Sequence, residues 1–339
     1  MKLSVFAYSR CGLDTARKIS ACFPGDIVRL SAPERLANGE VTAVPSDSES
    51  FYGEAFGNSD AVIFVGSCGI AMRCIAPHVR DKRTDPAVLC VDELGQFVIS
   101  LLSGHIGGAN ALAEALAEKL GATPVITTAT DINRRFSVDA WAAERGYVIG
   151  DMHTAKAVSA SILEENIPLC SDFPIISGLP GGIVLGSCGA LGICVSYYKK
   201  SPFSETLNII PRVLHLGVGC RRGTSAQAIE SAVRAVFEEN KIDPRAVKCV
   251  SSVDLKSDEP GILHFCTENG LKAEFYTADR LRAVQGDFAA SDFVKLVTGV
   301  DNVCERAAMI GAARLIVGKT AVHGVTVAVA AEDLEVSFE

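Results

Sequence analysis

One short segment of the chain combines several residue types that take part in catalysis and anion binding. Residues 103–110 read SGHIGGAN, between an apolar run at Phe97–Leu101 and an alanine-rich stretch of high helix propensity at Ala109–Leu120. Where a glycine-rich turn leads into a helix, free backbone N–H groups and the helix dipole favour carboxylate or phosphate. We interpret the segment as a ligand-binding loop, although a tight crossover packed against its strand would also need small residues.

A second polar segment, TTATD at residues 127–131, ends a strand predicted at Pro124–Thr128. If the strands before the two segments are neighbours, Asp131 lies close to His105. A carboxylate beside an imidazole fixes its tautomer and favours its protonated form, which makes a simple acid–base pair. A role for Asp131 as a helix cap or turn residue fits the pattern equally well. A nucleophilic triad that includes Ser103 is disfavoured, because the G-x-S-x-G elbow is absent.

A second glycine-rich turn, GVGCRRGTS at residues 217–225, precedes a predicted helix at Ser225–Asn240 and carries two arginines. Its glycines do not have the G-x-G-x-x-G spacing of dinucleotide-binding loops, and neither turn matches the P-loop pattern. A nucleotide-dependent enzyme is therefore disfavoured.

Composition limits the partners of the protein. The 339 residues carry a net charge of −8, which argues against nucleic acid as a partner. No apolar run reaches the ~18 residues needed to span a bilayer, and the N-terminus does not resemble a secretory signal, so we expect a cytoplasmic protein without a membrane partner.

The 12 cysteines form no CxxC, so we expect reduced, packed thiols and no metal site. A homo-oligomer is compatible with the sequence.

The order of apolar runs and helix-like segments predicts an α/β protein. Residues 1–150 alternate short apolar strands with helical patterns, which indicates an N-terminal doubly wound domain with a mostly parallel sheet. Residues 151–209 form a small middle α/β segment and linker, and residues 210–339 a second, C-terminal α/β domain.

Several segments resemble the CbiG family of anaerobic cobalamin biosynthesis, whose members are cobalt-precorrin-5A hydrolases. Residues 65–131, which include SLLSGHIGGAN and VITTATD, resemble the N-terminal domain of that family. Three further segments, residues 216–233, 251–262 and 303–330, resemble its C-terminal domain. The sequence departs from the family pattern at residues 304–307, which read CERA where Ser-Glu-Pro-Ala is expected.

The resemblance implies hydrolysis of the δ-lactone of cobalt-precorrin-5A, with release of acetaldehyde to give cobalt-precorrin-5B. The substrate is a carboxylated cobalt corrinoid that brings its own cobalt, so no further cofactor is expected. A non-catalytic tetrapyrrole-binding or carrier protein of the same pathway is the alternative.

For this reaction we expect His105 to be the catalytic acid–base and Asp131 to orient it. The backbone N–H groups of Gly107, Gly108 and Ala109 and the Asn110 amide are expected to bind the oxyanion or an acetate side chain. The complete set of expected substrate-binding residues is Ser103, Gly107, Gly108, Ala109, Asn110, Arg73, Lys82, Arg221, Arg222 and Lys256.

Overall fold

The computed structural model describes residues 1–81, 84–105 and 107–339, apart from the side chains of Asp292 and Phe293. The chain forms two compact units, Met1–Glu144 and Arg145–Glu339. Within the described residues, no helix is both long and apolar enough to cross a membrane.

The first unit contains seven strands and six helices among its described residues. In chain order they are β1 (Lys2–Ala7), α1 (Arg10–Ala21), β2 (Ile27–Pro33), β3 (Thr42–Val44), α2 (Glu49–Asn58), β4 (Ala61–Val65), α3 (Cys68–Ile75), β5 (Ala87–Val91), β6 (Phe97–Leu102), α4 (Ala109–Leu120), β7 (Thr123–Val125), α5 (Ala129–Ile132) and α6 (Val138–Glu144).

The strands form one sheet in the order β3-β2-β1-β4-β5-β6-β7, in which every neighbouring pair except β5 and β6 is parallel. Strands β4 and β5 are buried along their whole length, as expected for strands covered on both faces. Helices α1 and α4 pack on one face, where Ile19 and Leu116 are fully buried, and α2 and α3 pack on the other. The predicted doubly wound, mostly parallel sheet is confirmed.

The β5–β6 connection reverses the direction of the chain. Asp92 accepts hydrogen bonds from the backbone N–H groups of Leu94, Gln96 and Phe97, which closes a hairpin too short for a parallel crossover. Because β6 is antiparallel to β5, Leu102 at the end of β6 lies opposite Val88 near the start of β5. The segments after β6 and β7 therefore lie at the end of the sheet where the strands β1–β5 begin, opposite the carboxyl ends of β1–β5.

The second unit contains two five-stranded sheets. Its elements are β8 (Val148–Ile149), α7 (Met152–Ser161), β9 (Ile167–Ser171), β10 (Ile183–Leu185), β11 (Leu191–Val195), β12 (Glu205–Ile210), β13 (Leu214–Cys220), α8 (Ala226–Glu239), β14 (Val247–Val253), α9 (Pro260–Glu268), β15 (Lys272–Tyr276), α10 (Ala278–Ala283), α11 (Asp292–Thr298), α12 (Cys304–Met309), β16 (Arg314–Val322) and β17 (Val325–Ala331).

The two sheets of this unit follow one another along the chain. The middle sheet has the order β10-β9-β11-β12-β8, and the C-terminal sheet has the order β15-β14-β13-β17-β16. The expected middle α/β segment and second α/β domain are thus present as separate sheets. Their boundaries as domains, after residues 150 and 209, stay a prediction.

Helix α12 contains the residues that depart from the family pattern. Asn302 accepts a hydrogen bond from the Glu305 backbone N–H at 3.0 Å, which caps the helix start without the expected serine. The Glu305 carboxylate is buried and accepts from the backbone N–H groups of Ala289 and Lys319 at 2.9 and 2.6 Å. These bonds tie the helix to the segment before α11 and to β16.

Candidate active site

The two polar segments of the first unit meet at one end of its sheet, beyond the carboxyl ends of β6 and β7. Strands β6 and β7 are parallel neighbours, so the loops that follow them leave the sheet side by side. His105 Nε2 lies 3.0 Å from Asp131 Oδ2 and 3.2 Å from Thr130 Oγ1. The predicted proximity of His105 and Asp131 is confirmed, although the two residues are 26 positions apart in the sequence.

Asp131 lies on a short helix, and the strand predicted at Pro124–Thr128 is wrong beyond Val125. Strand β7 is an edge strand of three residues, where Pro124 is tolerated because one side of the strand needs no ladder hydrogen bond. Thr128 then has the extended backbone of an N-cap, and α5 begins at Ala129. Asp131 can thus have a local role at a helix start, which was the alternative from the sequence, and contact His105 as well.

The loop after β6 has a tightly constrained backbone. Ser103 has a φ of +57° and Gly108 a φ of +78°, both in the left-handed region. A Cβ atom on Gly107 would lie 2.3 Å from Ser103 Cβ and 3.3 Å from the carbonyl oxygen of Asp85, which precedes β5. Only glycine therefore fits at position 107 without a change in the loop.

Two of the predicted oxyanion donors are already occupied, which corrects the expectation from the sequence. The Gly108 N–H donates to the His105 carbonyl at 2.9 Å, and the Ala109 N–H donates to the Ser103 carbonyl at 3.1 Å. The loop folds back on itself, so these groups close its own turns. Among the described residues we find no acceptor for the Gly107 N–H, which remains a candidate donor.

Asn110 and Ser103 also differ from the expectation. Asn110 Nδ2 donates to Asp131 Oδ2 at 2.9 Å and to Thr128 Oγ1 at 3.1 Å, so its amide hydrogens link the two loops. Asn110 Oδ1 and Ser103 Oγ are buried, and neither has a hydrogen-bond partner among the described residues. In this conformation both side chains are buried, and their substrate-binding role stays a prediction.

Nothing in the sequence pattern indicates which groups lie at the second nitrogen of His105. Ser137 Oγ lies 3.0 Å from His105 Nδ1 and donates to Asp139 Oδ1 at 2.8 Å. Asp139 Oδ1 is itself 3.6 Å from Nδ1. The Asp139 side chain is 7% exposed, whereas that of Asp131 is 39% exposed. The imidazole therefore lies between an accessible and a buried carboxylate.

These carboxylates change the acid–base behaviour of His105. The Asp139 carboxylate, 3.6 Å from Nδ1, raises the pKa of His105 above its ordinary value of 6.5, burial opposes this, and Asp131 raises the pKa further. Both carboxylates therefore stabilise the protonated form of His105.

The predicted cationic residues are spread over the chain. Arg73 is exposed in the last turn of α3, and Lys82 lies outside the described residues. Arg221 is exposed in the turn after β13 in the second unit. In the same unit, Arg222 pairs with Asp258 at 3.1 Å and Lys256 pairs with the buried Glu259 at 3.1 Å, so these two charges already have partners.

Comparison with known proteins identifies the family. A family model described as Cobalamin synthesis G N-terminal matches residues 50–131, and one described as Cobalamin synthesis G C-terminus matches residues 214–330. The cobalt-precorrin-5A hydrolase of Salmonella typhimurium is 32% identical to this chain, over 94% of both proteins. The chain belongs to the cobalt-precorrin-5A hydrolase family.

Two further relatives extend the comparison. The cobalt-precorrin-5A hydrolase of Priestia megaterium is 32% identical over 96% of this chain and 94% of that protein. Protein CobE of Sinorhizobium is 34% identical over 30% of this chain and 66% of that protein. Membership of the family establishes a hydrolase with a role in cobalamin biosynthesis, as the resemblance predicted.

The N-terminal family model includes His105 and Asp131 but ends at residue 131, before Ser137 and Asp139. A Ser-x-Asp pattern at the start of a helix is typical of capping, and nothing in its spacing points back to His105. Only the distances from Ser137 and Asp139 to His105 show that these two residues belong to the site.

The fit of Gly107 can be tested in this member of the hydrolase family. We expect Gly107→Ala to lower the free energy of unfolding by about 1–3 kcal/mol, because the new methyl group must displace Ser103. Urea denaturation followed by circular dichroism measures the change. Gly57→Ala, in α2 with no atom within 4 Å of the new Cβ, is the matched control and should change stability by less than about 0.5 kcal/mol in the destabilising direction. Equal effects of the two variants would contradict the close packing at Gly107.

The pKa of His105 predicts how this residue contributes to stability at different pH. Because folding raises its pKa, the imidazolium stabilises the folded state fully below pH 6.5, and this contribution is lost as pH rises through the folded-state pKa. We expect the difference in unfolding free energy between the wild type and His105→Gln to be larger at pH 6 than at pH 9. Denaturation curves of both proteins across this range measure it. A difference that grows with pH would have the wrong sign.

Proposed function

We propose that the protein hydrolyses the δ-lactone of cobalt-precorrin-5A and releases acetaldehyde, giving cobalt-precorrin-5B in anaerobic cobalamin biosynthesis. The observation that carries this proposal is the 32% identity, over 94% of both chains, with a cobalt-precorrin-5A hydrolase. The contact between His105 and Asp131 supports it, because the reaction needs an acid and a base close together.

In the first step, water adds to the lactone carbonyl and the ring C–O bond breaks. Asp131 is the more accessible carboxylate of the site and accepts the proton of the attacking water. His105, as the imidazolium, gives its Nε2 proton to the departing oxygen. The positive charge on His105 and the Gly107 N–H stabilise the oxyanion that forms in between.

The second step needs the reverse proton transfer. After ring opening, the extruded two-carbon unit carries a hydroxyl group, and its proton must leave as the C–O bond becomes the carbonyl of acetaldehyde. The C–C bond to the macrocycle then breaks, and its electron pair passes into the conjugated ring. The now neutral His105 takes the hydroxyl proton, so one imidazole serves as acid in the first step and as base in the second.

The cationic residues provide the proposed contacts to the carboxylates of the substrate. Arg73, Lys82 and Arg221 are proposed to bind them directly. Arg222 and Lys256 would first have to exchange their present carboxylate partners, Asp258 and Glu259, for those of the substrate. Exposed ion pairs such as Arg222–Asp258 contribute little to stability, so a carboxylate of the substrate can replace the protein carboxylate.

The remaining parts of the proposal concern cofactor, partners and location. The cobalt belongs to the substrate, and the reaction is proposed to need no further cofactor. Nucleic acid and membranes are not proposed as partners, and a homo-oligomer remains compatible with the reaction. The 12 cysteines, which we expect to be reduced thiols, suit a reducing cytoplasm.

Incubation of the protein with cobalt-precorrin-5A and an assay for acetaldehyde test the proposal. We expect stoichiometric acetaldehyde and a product with the mass of cobalt-precorrin-5B. Tight binding of the corrinoid without acetaldehyde would instead favour the carrier function and refute the proposed reaction.

A further inference from the structure

The contacts of His105 determine where its protons lie. Ser137 has one hydroxyl proton, and the nearest acceptor-only group is Asp139 Oδ1 at 2.8 Å. If Ser137 donates to Asp139, its oxygen accepts from His105 Nδ1 at 3.0 Å. On the other side, Asp131 Oδ2 accepts from Nε2 at 3.0 Å. In a neutral imidazole, the lone pair of one ring nitrogen would face an acceptor with no proton between them, which is unfavourable. Both ring nitrogens therefore carry a proton.

We propose that Asp139, acting through the Ser137 hydroxyl, is a positioning residue that keeps His105 doubly protonated and oriented towards Asp131. The inference rests on the proposed function, since it assigns the source of the proton that lactone opening requires. The Asp139 side chain is buried beside Ser137, so we assign its effect to Ser137 and His105 rather than to direct contact with the substrate.

The charged groups around His105 are consistent with this assignment. Among the described residues, Asp131 on α5 and Asp139 on α6 are the carboxylates within 4 Å of the ring nitrogens, and α4 contributes the neutral Asn110, which binds Asp131. Asp85, from the segment before β5, turns its carboxylate to the Arg80 backbone N–H at 2.9 Å. The proximity of two carboxylates raises the pKa of the imidazole, as described above.

The same geometry separates this role from a Ser–His–Asp triad. Ser137, His105 and Asp131 lie in a row that resembles such a triad, in which the serine hydroxyl would donate to the imidazole. Here the Ser137 proton is directed to Asp139, and the Nδ1 proton of His105 blocks its transfer. We therefore assign Ser137 the role of orienting His105. Water is assigned as the nucleophile.

Nuclear magnetic resonance of protein labelled with ¹⁵N-histidine tests the assignment without substrate. The chain has six histidines, and the signals missing in His105→Gln identify His105. We expect both His105 nitrogens to show imidazolium shifts at pH 7 in the wild type. Asp139→Asn should lower the titration midpoint of His105 by about one pH unit, as expected for loss of a charge within 4 Å. The exposed Asp14→Asn is the control and should leave the midpoint unchanged.

Kinetics provide the second readout. Asp139→Asn should reduce kcat about tenfold at pH 7.5 with KM within about twofold, and the alkaline limb of the pH–rate profile should move down with the His105 midpoint. Ser137→Ala should lower the same midpoint and serves as the second variant if Asp139→Asn does not fold. Asp139→Glu should restore part of the midpoint shift, whereas a purely structural cap would change stability alone.

Three results would overturn the assignment. They are a neutral His105 at pH 7 in the wild type, an unchanged midpoint in both variants, and a covalent acyl adduct on Ser137 in a single turnover. Failure of the proposed function has a different signature, because the midpoint shifts would remain while the wild type formed no acetaldehyde.

Discussion

Replacement of His105 by glutamine should reduce acetaldehyde release about a thousandfold, within the range that a single general acid–base group contributes. The glutamine amide has no proton that it can release and recover at neutral pH, so both proposed steps lose their proton carrier. The measurement is the rate of acetaldehyde formation under single-turnover conditions, with corrinoid binding followed separately by the visible spectrum. Binding should weaken far less than the rate, because His105 acts on the reacting bonds.

The control for this variant is His153→Gln, which changes an exposed histidine of the second unit. It should release acetaldehyde at the wild-type rate. A His105→Gln protein that binds the substrate and retains more than about a tenth of the wild-type rate would refute the assignment of His105 as the acid–base.

Asp131→Asn should reduce the single-turnover rate about a hundredfold, the second largest effect that we expect. Asparagine keeps the size of the side chain and can still accept from His105 Nε2, but it cannot take a proton from water. The loss should therefore appear in kcat, with little change in the thermal unfolding midpoint. Asp47→Asn, at an exposed position in the same unit, is the control and should behave as the wild type.

The double variant tests whether the two residues act together. If His105 and Asp131 form one catalytic unit, His105→Gln/Asp131→Asn should be only slightly slower than His105→Gln alone, because residues that act as a unit are strongly non-additive. Fully multiplicative losses would mean that the two side chains contribute independently, contrary to their 3.0 Å contact.

The fold class was predictable because it depends on local patterns. Short apolar runs such as Ala61–Val65 and Ala87–Val91 are typical of strands buried on both faces, and the helical stretches between such strands form the crossovers of a parallel sheet. The contact between His105 and Asp131 was predictable for the same reason. It needed only that two consecutive strands be neighbours, which is the usual arrangement.

The protonation of the site was not predictable, because it depends on groups brought together by tertiary structure. Ser137 lies 32 positions from His105, and its contact arises from how the chain returns after α5. The use of the Gly108 and Ala109 N–H groups within the loop was equally hidden, since it follows from the positive φ angles at Ser103 and Gly108. A sequence shows which donors and acceptors a loop contains, but not which of them the loop uses to close itself.

By itself, the sequence determined the α/β architecture, the family, and the pairing of one histidine with one aspartate. The tertiary structure alone decided that a second, buried carboxylate faces the same imidazole and that the site lies opposite the carboxyl ends of β1–β5. The physical reason is the range of the interactions. Periodicity and turn chemistry act over a few residues, whereas the charge of His105 depends on atoms that only the packed loops bring within 4 Å.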